Sequence, residues 1–335
     1  MILVLELLFM LLLILLASEL FTNSLEHLGA RLTISEGVTG SLLAAVGTAL
    51  PETLVPLLAL FAGTSQLHVN EDISVGAILG APLMLSTLSC CLMALAVWRQ
   101  RGAGDFIQPE RSGLLRDLHL FLFAFILAVL AMFIPRDAQW LRVLMSSTLV
   151  LSYIVYLCLT LRASHVLVGE GHGTTADTRL WLARLGLSSG MLSILLQLIL
   201  GLGLLVLGAK GFIYGVEGIS KQFGVSVLLL SLLIIPIATE LPEKVNSIVW
   251  VRRGKDTLAL GNITGAMAFQ GTLLPAMGIM FTPWQPRFEI FAGILVTLLA
   301  ALWLRLNLRA RGLPIWGFAV NGGLYLAYLG AMLVF

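Results

Sequence analysis

Long apolar runs separated by short polar connections set the rhythm of this chain. Ten can be marked, near residues 2–22, 38–63, 73–98, 114–134, 139–161, 187–215, 224–251, 257–281, 287–306 and 313–334. Runs of about 20 apolar residues are long enough to cross the hydrocarbon core as helices, so the pattern predicts an all-α polytopic membrane protein with ten transmembrane helices. The first run lacks a basic leader and contains Glu6, which reads as a retained helix and not a cleaved signal. The one long connection runs from Arg162 to Gly186 and contains Gly169-Glu170-Gly171-His172-Gly173. It divides the helices five and five: a first half over 1–162, a linker over 163–186 and a second half over 187–335.

Two of the runs carry residues that hydrocarbon does not tolerate without a reason. Ala238-Thr239-Glu240-Leu241-Pro242-Glu243 lies between aliphatic stretches, and Gly47-Thr48-Ala49-Leu50-Pro51-Glu52 repeats the theme in the first half. An intramembrane carboxylate costs several kcal/mol unless a cation or donor meets it. Proline withholds an amide and frees backbone groups that protein, water or an ion must satisfy. The expectation is therefore two broken helices carrying acids at matching depth.

The halves also correspond beyond the acids. Glu26 to Glu52 and Glu217 to Glu243 are both separations of 26 residues. Gly76-Ala77-Ile78-Leu79-Gly80-Ala81 falls on Gly261-Asn262-Ile263-Thr264-Gly265-Ala266, and both stretches then reach Thr-Leu, at Thr87-Leu88 and Thr272-Leu273. Charge adds an orientation. With both termini outside, the inward connections hold Arg31, Arg99, Arg101, Arg111, Arg116, Arg162, Arg179, Arg184, Arg252, Arg253, Lys255, Arg305, Arg309 and Arg311. The outward ones hold only Arg136, Arg142, Lys221 and Arg287. The positive-inside rule then puts both termini outside and makes the linker cytoplasmic. Five helices per half give the halves opposite orientation, and an inverted repeat places a binding site at the repeat interface.

Paired ALPE and ELPE motifs, each followed by a G-x-x-x-G-small helix, resemble the alpha repeats of the sodium/calcium exchanger (cation/Ca²⁺ antiporter) superfamily. The resemblance covers essentially the whole chain. It implies a fold of two inverted five-helix repeats, in which helices 2, 3, 7 and 8 form the ion site and helices 1 and 6 slide across them. Glu52 and Glu243 match the family's two central ion-binding glutamates, and Thr48 and Thr239 its motif threonines. Oxygen ligands including carboxylates suit a hard cation such as Ca²⁺. The competing structural reading has each glutamate capping a half-helix or pairing with a buried base, for which Lys244 is the obvious candidate.

The chain departs from the family pattern in ways that thin the ligand set. Ala49 and Glu240 stand where the family has serine, Ala81 and Ala266 replace the second serine, and Gln270 replaces a polar residue of the second repeat. Asn262 keeps the G-N pair that Ala77 loses. Ser86, Thr87 and Ser89 could supplement the first repeat. The candidate metal ligands are thus Glu52, Glu243, Glu240, Thr48, Thr239, Asn262 and Gln270. Neighbouring carboxylates in a low-dielectric site repel, so a proton competes with a cation for them, and proton coupling rivals Na⁺ coupling.

Composition narrows the classes further. Of 335 residues 59% are hydrophobic and 11% charged, a balance that no soluble domain has. The formal net charge of +2, with bases at helix ends, gives nucleic acid no patch. Cys90, Cys91 and Cys158 sit in apolar runs without metal spacing, and His165 and His172 read as loop residues. The glycines of helix 6 (Gly201, Gly203, Gly208, Gly211, Gly215 and Gly218) suggest either a sliding surface, as the resemblance would have it, or tight packing. Trp98, Trp140, Trp250, Trp284 and Trp316 lie near segment ends like interfacial anchors. No HExxH, GxSxG or Walker pattern supports an enzyme or a nucleotide-driven pump. The expectation is a secondary active antiporter of the bacterial inner membrane with no cofactor, carrying Ca²⁺, Na⁺ and/or H⁺ as cargo. Its rivals are a cation/proton exchanger without Ca²⁺ and a non-transporting scaffold or sensor. The bilayer and inorganic cations are its expected partners, and nothing in the sequence requires more than a monomer.

Overall fold

Wherever an apolar segment falls on described residues, those residues are overwhelmingly helical. The computed structural model describes residues 2–31, 45–168, 179–184, 186–224 and 226–334. The helices are α1 Ile2–Arg31, α2 Ala45–Ala62, α3 Leu67–Met84, α4 Cys90–Arg101, α5 Arg111–Ala131, α6 Gln139–Val168 and a short α7, Trp181–Arg184. They continue as α8 Met191–Phe223, α9 Val227–Thr239, α10 Leu241–Arg252, α11 Asp256–Gln270, α12 Leu273–Phe281, α13 Phe288–Asn307 and α14 Phe318–Val334. Among the described residues, seven helical stretches are long and apolar enough to cross a membrane, and Glu52–Ala62 and Val227–Ile237 are shorter apolar helices. The chain is an integral membrane protein. On α5, Phe123, Ile126 and Leu130 are exposed while Phe121, Phe125 and Ala128 are buried, so even the outward face is apolar.

The chain forms two compact units, each drawing on both halves of the sequence: Met1–Asn70 with Val155–Val225, and Glu71–Ile154 with Ser226–Phe335. In the first unit α1 and α8 run antiparallel in close contact, and α2 packs on both. A Cβ added at Gly201 would lie 3.0 Å from the Phe21 amide nitrogen; at Gly208, 2.9 Å from an Ile14 side-chain carbon; at Gly215, 3.0 Å from a Leu7 methyl. Gly211 abuts the Met10 side chain in the same way. These glycines therefore pack α8 against α1 inside one unit. For these four the suggested sliding surface is corrected to tight packing, because the space beside them is filled by side chains and backbone of α1, whereas Gly203 has nothing within 4 Å. A buried polar clasp holds the same helices, with Gln197 Nε2 donating to the Leu20 carbonyl and Asn23 Oδ1, both at 2.9 Å. Gln197 Oε1 accepts from the Leu182 amide at 3.0 Å.

The second unit holds a continuous apolar core from α3 to α14 that includes Phe121, Phe125, Trp284 and Phe318. Trp284 is 1% exposed, and its indole donates to the Ala128 carbonyl at 2.9 Å. It is a core residue and not the interfacial anchor that its position near a segment end suggested, because α5 offers it both a cleft and an acceptor. Trp140 and Trp316 are exposed as anchors would be. Polar ties fix the helix ends. Arg101 meets both Asp256 oxygens at 2.8 Å and the Val251 carbonyl at 2.7 Å, a charge-assisted, two-pronged pair. Arg142 donates to the carbonyls of Ile279, Thr282 and Pro283 and so closes the exposed end of α12. A two-residue antiparallel ribbon pairs Phe106 with Pro314 and Ile107 with Leu313.

Two irregularities in this unit fall at matching places of the two halves. After Pro82 the α3 rod widens into a π segment, Leu85–Ser89, before α4 resumes. At the corresponding place in the second half, α11 ends at Gln270 and α12 begins at Leu273. Each irregularity thus contains one of the aligned Thr-Leu pairs. Thr87 and Thr272 both turn their hydroxyls back onto carbonyls one turn earlier, Leu83 and Ala268. The Ser86 carbonyl accepts from Asn321 Nδ2 at 2.7 Å. Such disruptions leave backbone groups to be satisfied by side chains and often mark functional sites.

Candidate ion-binding site

Helix packing first brings the right backbone together. Gly80 lets α3 lie against the Leu232 carbonyl and within 2.8 Å, for an added Cβ, of the Pro236 ring; Gly76 lies against Ser231 and the Leu228 carbonyl. Any larger residue would push α3 away from the end of α9, where the second acidic motif sits. Pro236 lies inside α9 without ending it. The break comes at Glu240, with φ −100° and ψ 9°, and Pro242 stands in the first turn of α10. That order fits proline chemistry: Glu240 leaves helical geometry two residues earlier, and Pro242 occupies a first turn where no amide donor is required.

The junction collects five of the seven predicted ligands. Thr239, Glu240, Glu243 and Gln270 are all at most 1% exposed. Gln270 Nε2 donates to Glu240 Oε1 at 3.1 Å. Asn262 Nδ2 donates to the Glu243 carbonyl and to Ser247 Oγ, both at 3.0 Å, which ties α11 to α10. The Thr239 hydroxyl donates to the Ile235 carbonyl at 3.2 Å and keeps its lone pairs available. Lys244 is buried as well. Its ammonium donates to the Pro236 carbonyl at 3.0 Å, sits beside the Met84 thioether and feels the charge of Glu240.

The two remaining candidates belong to the other unit. Glu52 is 1% exposed on α2, in line with buried Val55 and Ala59. Thr48 lies on the same helix, but its side chain is outside the described residues. Here the structure departs from the expected pair of broken helices, because α2 runs from Ala45 through Pro51 to Ala62 without a break. One missing amide removes one rung of the ladder, and the rungs around it can still carry a bent helix onward. Glu217, read as an acid at the outer mouth, is half of an i,i+4 ion pair with Lys221 at 2.6 Å. The side chains of Glu26 and His165 and the whole of His172 lie outside the described residues, and the His165 backbone belongs to the last turns of α6 and not to the loop expected for it. The three cysteines are free thiols.

Sequence reasoning passed over Asp117. This acid of α5 is buried and accepts from the Thr264 hydroxyl at 2.7 Å, two residues along α11 from Asn262. Its presence near the start of an otherwise apolar run was the available signal.

Buried carboxylates, an amide and a hydroxyl at a helix junction inside an apolar core are the equipment of a membrane carrier for small ions. The comparisons with known proteins agree. The family model for sodium/calcium exchanger proteins matches residues 2–162 and 193–334, and the chain belongs to that family. Inner membrane protein YrbG of Escherichia coli strain K12 is 28% identical over 251 residues, 74% of this chain and 70% of its own length. The putative antiporter CaxA of Alkalimonas amylolytica is 40% identical over 86 residues, 26% of this chain and 27% of its own. Among solved structures, the H⁺/Ca²⁺ exchanger CAX superposes with a TM-score of 0.73 at 19% identity, over 99% of this chain and 82% of that one. The sodium-calcium exchanger NCX_Mj superposes with a TM-score of 0.60 at 21% identity, over 98% and 97%. At these identities the two structures speak for the fold. The chain is a membrane transporter of the cation exchanger superfamily.

Proposed function

We propose that the protein is a secondary active antiporter that exchanges Ca²⁺, or another inorganic cation, for Na⁺ or H⁺ by alternating access around Glu52 and Glu243. The observation that carries this reading is the burial of both glutamates inside apolar helices, one in each unit. Carboxylates held in such a medium need a cation or proton to neutralise them, and an exchanger supplies either in turn. The reading takes the ten apolar segments as ten spans in two inverted five-helix repeats. It sets the chain in the bacterial inner membrane with both termini outside, as the arginine asymmetry favours. A relative named as an inner membrane protein and another named as a putative antiporter support it.

The test is cation uptake into proteoliposomes with an imposed Na⁺ or proton gradient. ⁴⁵Ca²⁺ uptake driven by one gradient, and lost in both Glu52→Gln and Glu243→Gln, is the expected result. Mutant-sensitive movement of other cations without Ca²⁺ would favour a cation/proton exchanger, a reading that the thinned oxygen set around Asn262 and Gln270 supports. Folded protein that moves no cation would overturn the proposal.

A further inference from the structure

One buried acid of the second unit lies outside the junction: Asp117 on α5. Its partner Thr264 stands on α11, the helix that also carries Asn262 and Gln270. α11 packs on α10 along one side and on α5 along another. Towards α10 it offers Asn262, which donates to the Glu243 carbonyl and to Ser247 Oγ. Towards α5 it offers the fully buried Thr264, whose hydroxyl lies 2.7 Å from Asp117 Oδ2. Positions 262 and 264 are about 200° apart around the helix, so the two ties grip opposite sides of one turn.

The seam between α5 and α11 keeps a single register. The Gln108 amide donates to Asp256 Oδ2 at 2.8 Å and the Glu110 amide to Thr257 Oγ1 at 3.0 Å, which fixes its start. The next polar tie comes seven residues later on both helices, at Asp117 and Thr264. Seven residues beyond Thr264 stands Gly271, against the ring of Phe121. Seven residues are close to two helical turns, so one stripe of each helix faces the other throughout. Asp117 and Thr264 are the tie nearest to Asn262, and on α5 the acid stands among the buried Leu114, Leu118 and Phe121.

The bond is also indifferent to where the proton lies. The Thr264 hydroxyl has one hydrogen and two acceptors in reach, Asp117 Oδ2 at 2.7 Å and the Leu260 carbonyl at 3.1 Å. An ionised Asp117 takes that hydrogen. A protonated Asp117 donates instead, and the hydroxyl turns its hydrogen to Leu260. The two helices stay joined in both cases.

We propose that Asp117 is a positioning residue for the cargo. Through Thr264 it fixes α11 against α5, and so fixes where Asn262 holds the Glu243 carbonyl and where Gln270 meets Glu240. It touches no cargo itself. The inference rests on the junction being a cation site, and it adds a residue on a helix that supplies none of the candidate ligands.

Gradient-driven uptake of ⁴⁵Ca²⁺, and of ²²Na⁺ beside it, is measured over a range of cation concentrations in proteoliposomes. The proteins are wild type, Asp117→Leu, Asp117→Asn, Thr264→Val, Thr264→Ser, Asn262→Ala and the combination of Asp117→Leu with Asn262→Ala. Asp117→Leu and Thr264→Val are each expected to raise the half-maximal concentration roughly 10-fold, as loss of a supporting group does, and to change the maximal rate less than about 2-fold. Asp117→Asn and Thr264→Ser keep a hydrogen-bonding partner and should stay within about 3-fold of wild type, with the pH profile of Asp117→Asn unchanged. Because the acid acts through α11, adding Asp117→Leu to Asn262→Ala should cost less than Asp117→Leu costs alone.

Unchanged half-maximal concentrations in Asp117→Leu and Thr264→Val would overturn the proposal, as would full additivity with Asn262→Ala. An Asp117→Asn variant that abolishes uptake or moves its pH profile would make Asp117 a carrier of the cation or proton and overturn the positioning role. If Asp117→Leu does not fold, Thr264→Val, which removes a hydroxyl at nearly constant shape, decides alone. Wild-type protein that moves neither cation would reject the transport reading and this inference with it. Wild-type uptake with any of the overturning results rejects the inference alone.

Discussion

The same four-residue theme, Leu-Pro-Glu behind a small or acidic residue, has two outcomes in this molecule. At Pro51 it lies within one helix, with Glu52 as the buried acid. At Pro242 it opens a new helix after a break at Glu240 and gathers a second acid, a lysine, a glutamine and an asparagine around the junction. The difference follows from what precedes the proline. Glu240 stands outside helical geometry at the junction without a side-chain cap bond, while Ala49 is among the strongest helix formers and favours continuation. Repetition in sequence therefore preserves the acid but not the backbone that presents it.

The largest test of that contrast is functional. If the two acids share the cargo, Glu52→Gln and Glu243→Gln abolish uptake alike, beyond the roughly 10–100-fold that loss of a supporting group costs. A tolerated Glu52→Gln would leave the junction at Glu240 as the whole site. Next comes the backbone. Pro51→Ala restores a rung inside a helix and should raise the melting midpoint, by up to about 3 kcal/mol in stability, whereas Pro242→Ala in a first turn should change it little. Equal effects would mean that both helices are broken. Asn262→Ala releases α11 from the Glu243 carbonyl and Ser247, and about a 10-fold rise in the cation concentration for half-maximal uptake is expected.

The smallest effect lies outside the bilayer. The hydroxyl of Ser112, with the Gly113 and Ser112 amides, holds the Glu110 carboxyl below its ordinary value against the opposing effect of partial burial. A depressed carboxyl contributes stability above its unfolded value near 4.5 and loses it as the pH falls through the lower folded value. Glu110→Ala should therefore cost about 0.5–1 kcal/mol at neutral pH and almost nothing in acid, measured by melting at both.

Hydropathy located the helices because lipid-facing and core-facing positions are both apolar here, so every span reads as one block. The acids were legible for the complementary reason: a charge in such a block is expensive. What escaped was decided by partners distant in sequence. Trp284 looks like an anchor until the Ala128 carbonyl comes within reach of its indole. The break at Gln270 has no proline to announce it, only Gly271, which lies against the ring of Phe121. Asp117 belongs to the polar interior through Thr264, 147 residues away. Lys244 was named as a partner from adjacency to Glu243, but its reach to the Pro236 carbonyl, eight residues back across the break, was not legible.

The seam between α1 and α8 has a mechanical meaning. Gly201, Gly208 and Gly215 face Phe21, Ile14 and Leu7, vacancies and fillings that both recur every seven residues in opposite directions. Shifting one helix along the other by a single residue would drive side chains into backbone, and the next matching register lies about 10 Å away, the rise of seven helical residues. Between those registers the two helices behave as a keyed shaft. Any stroke of one is delivered in full to the other, with no slack to be lost on the way.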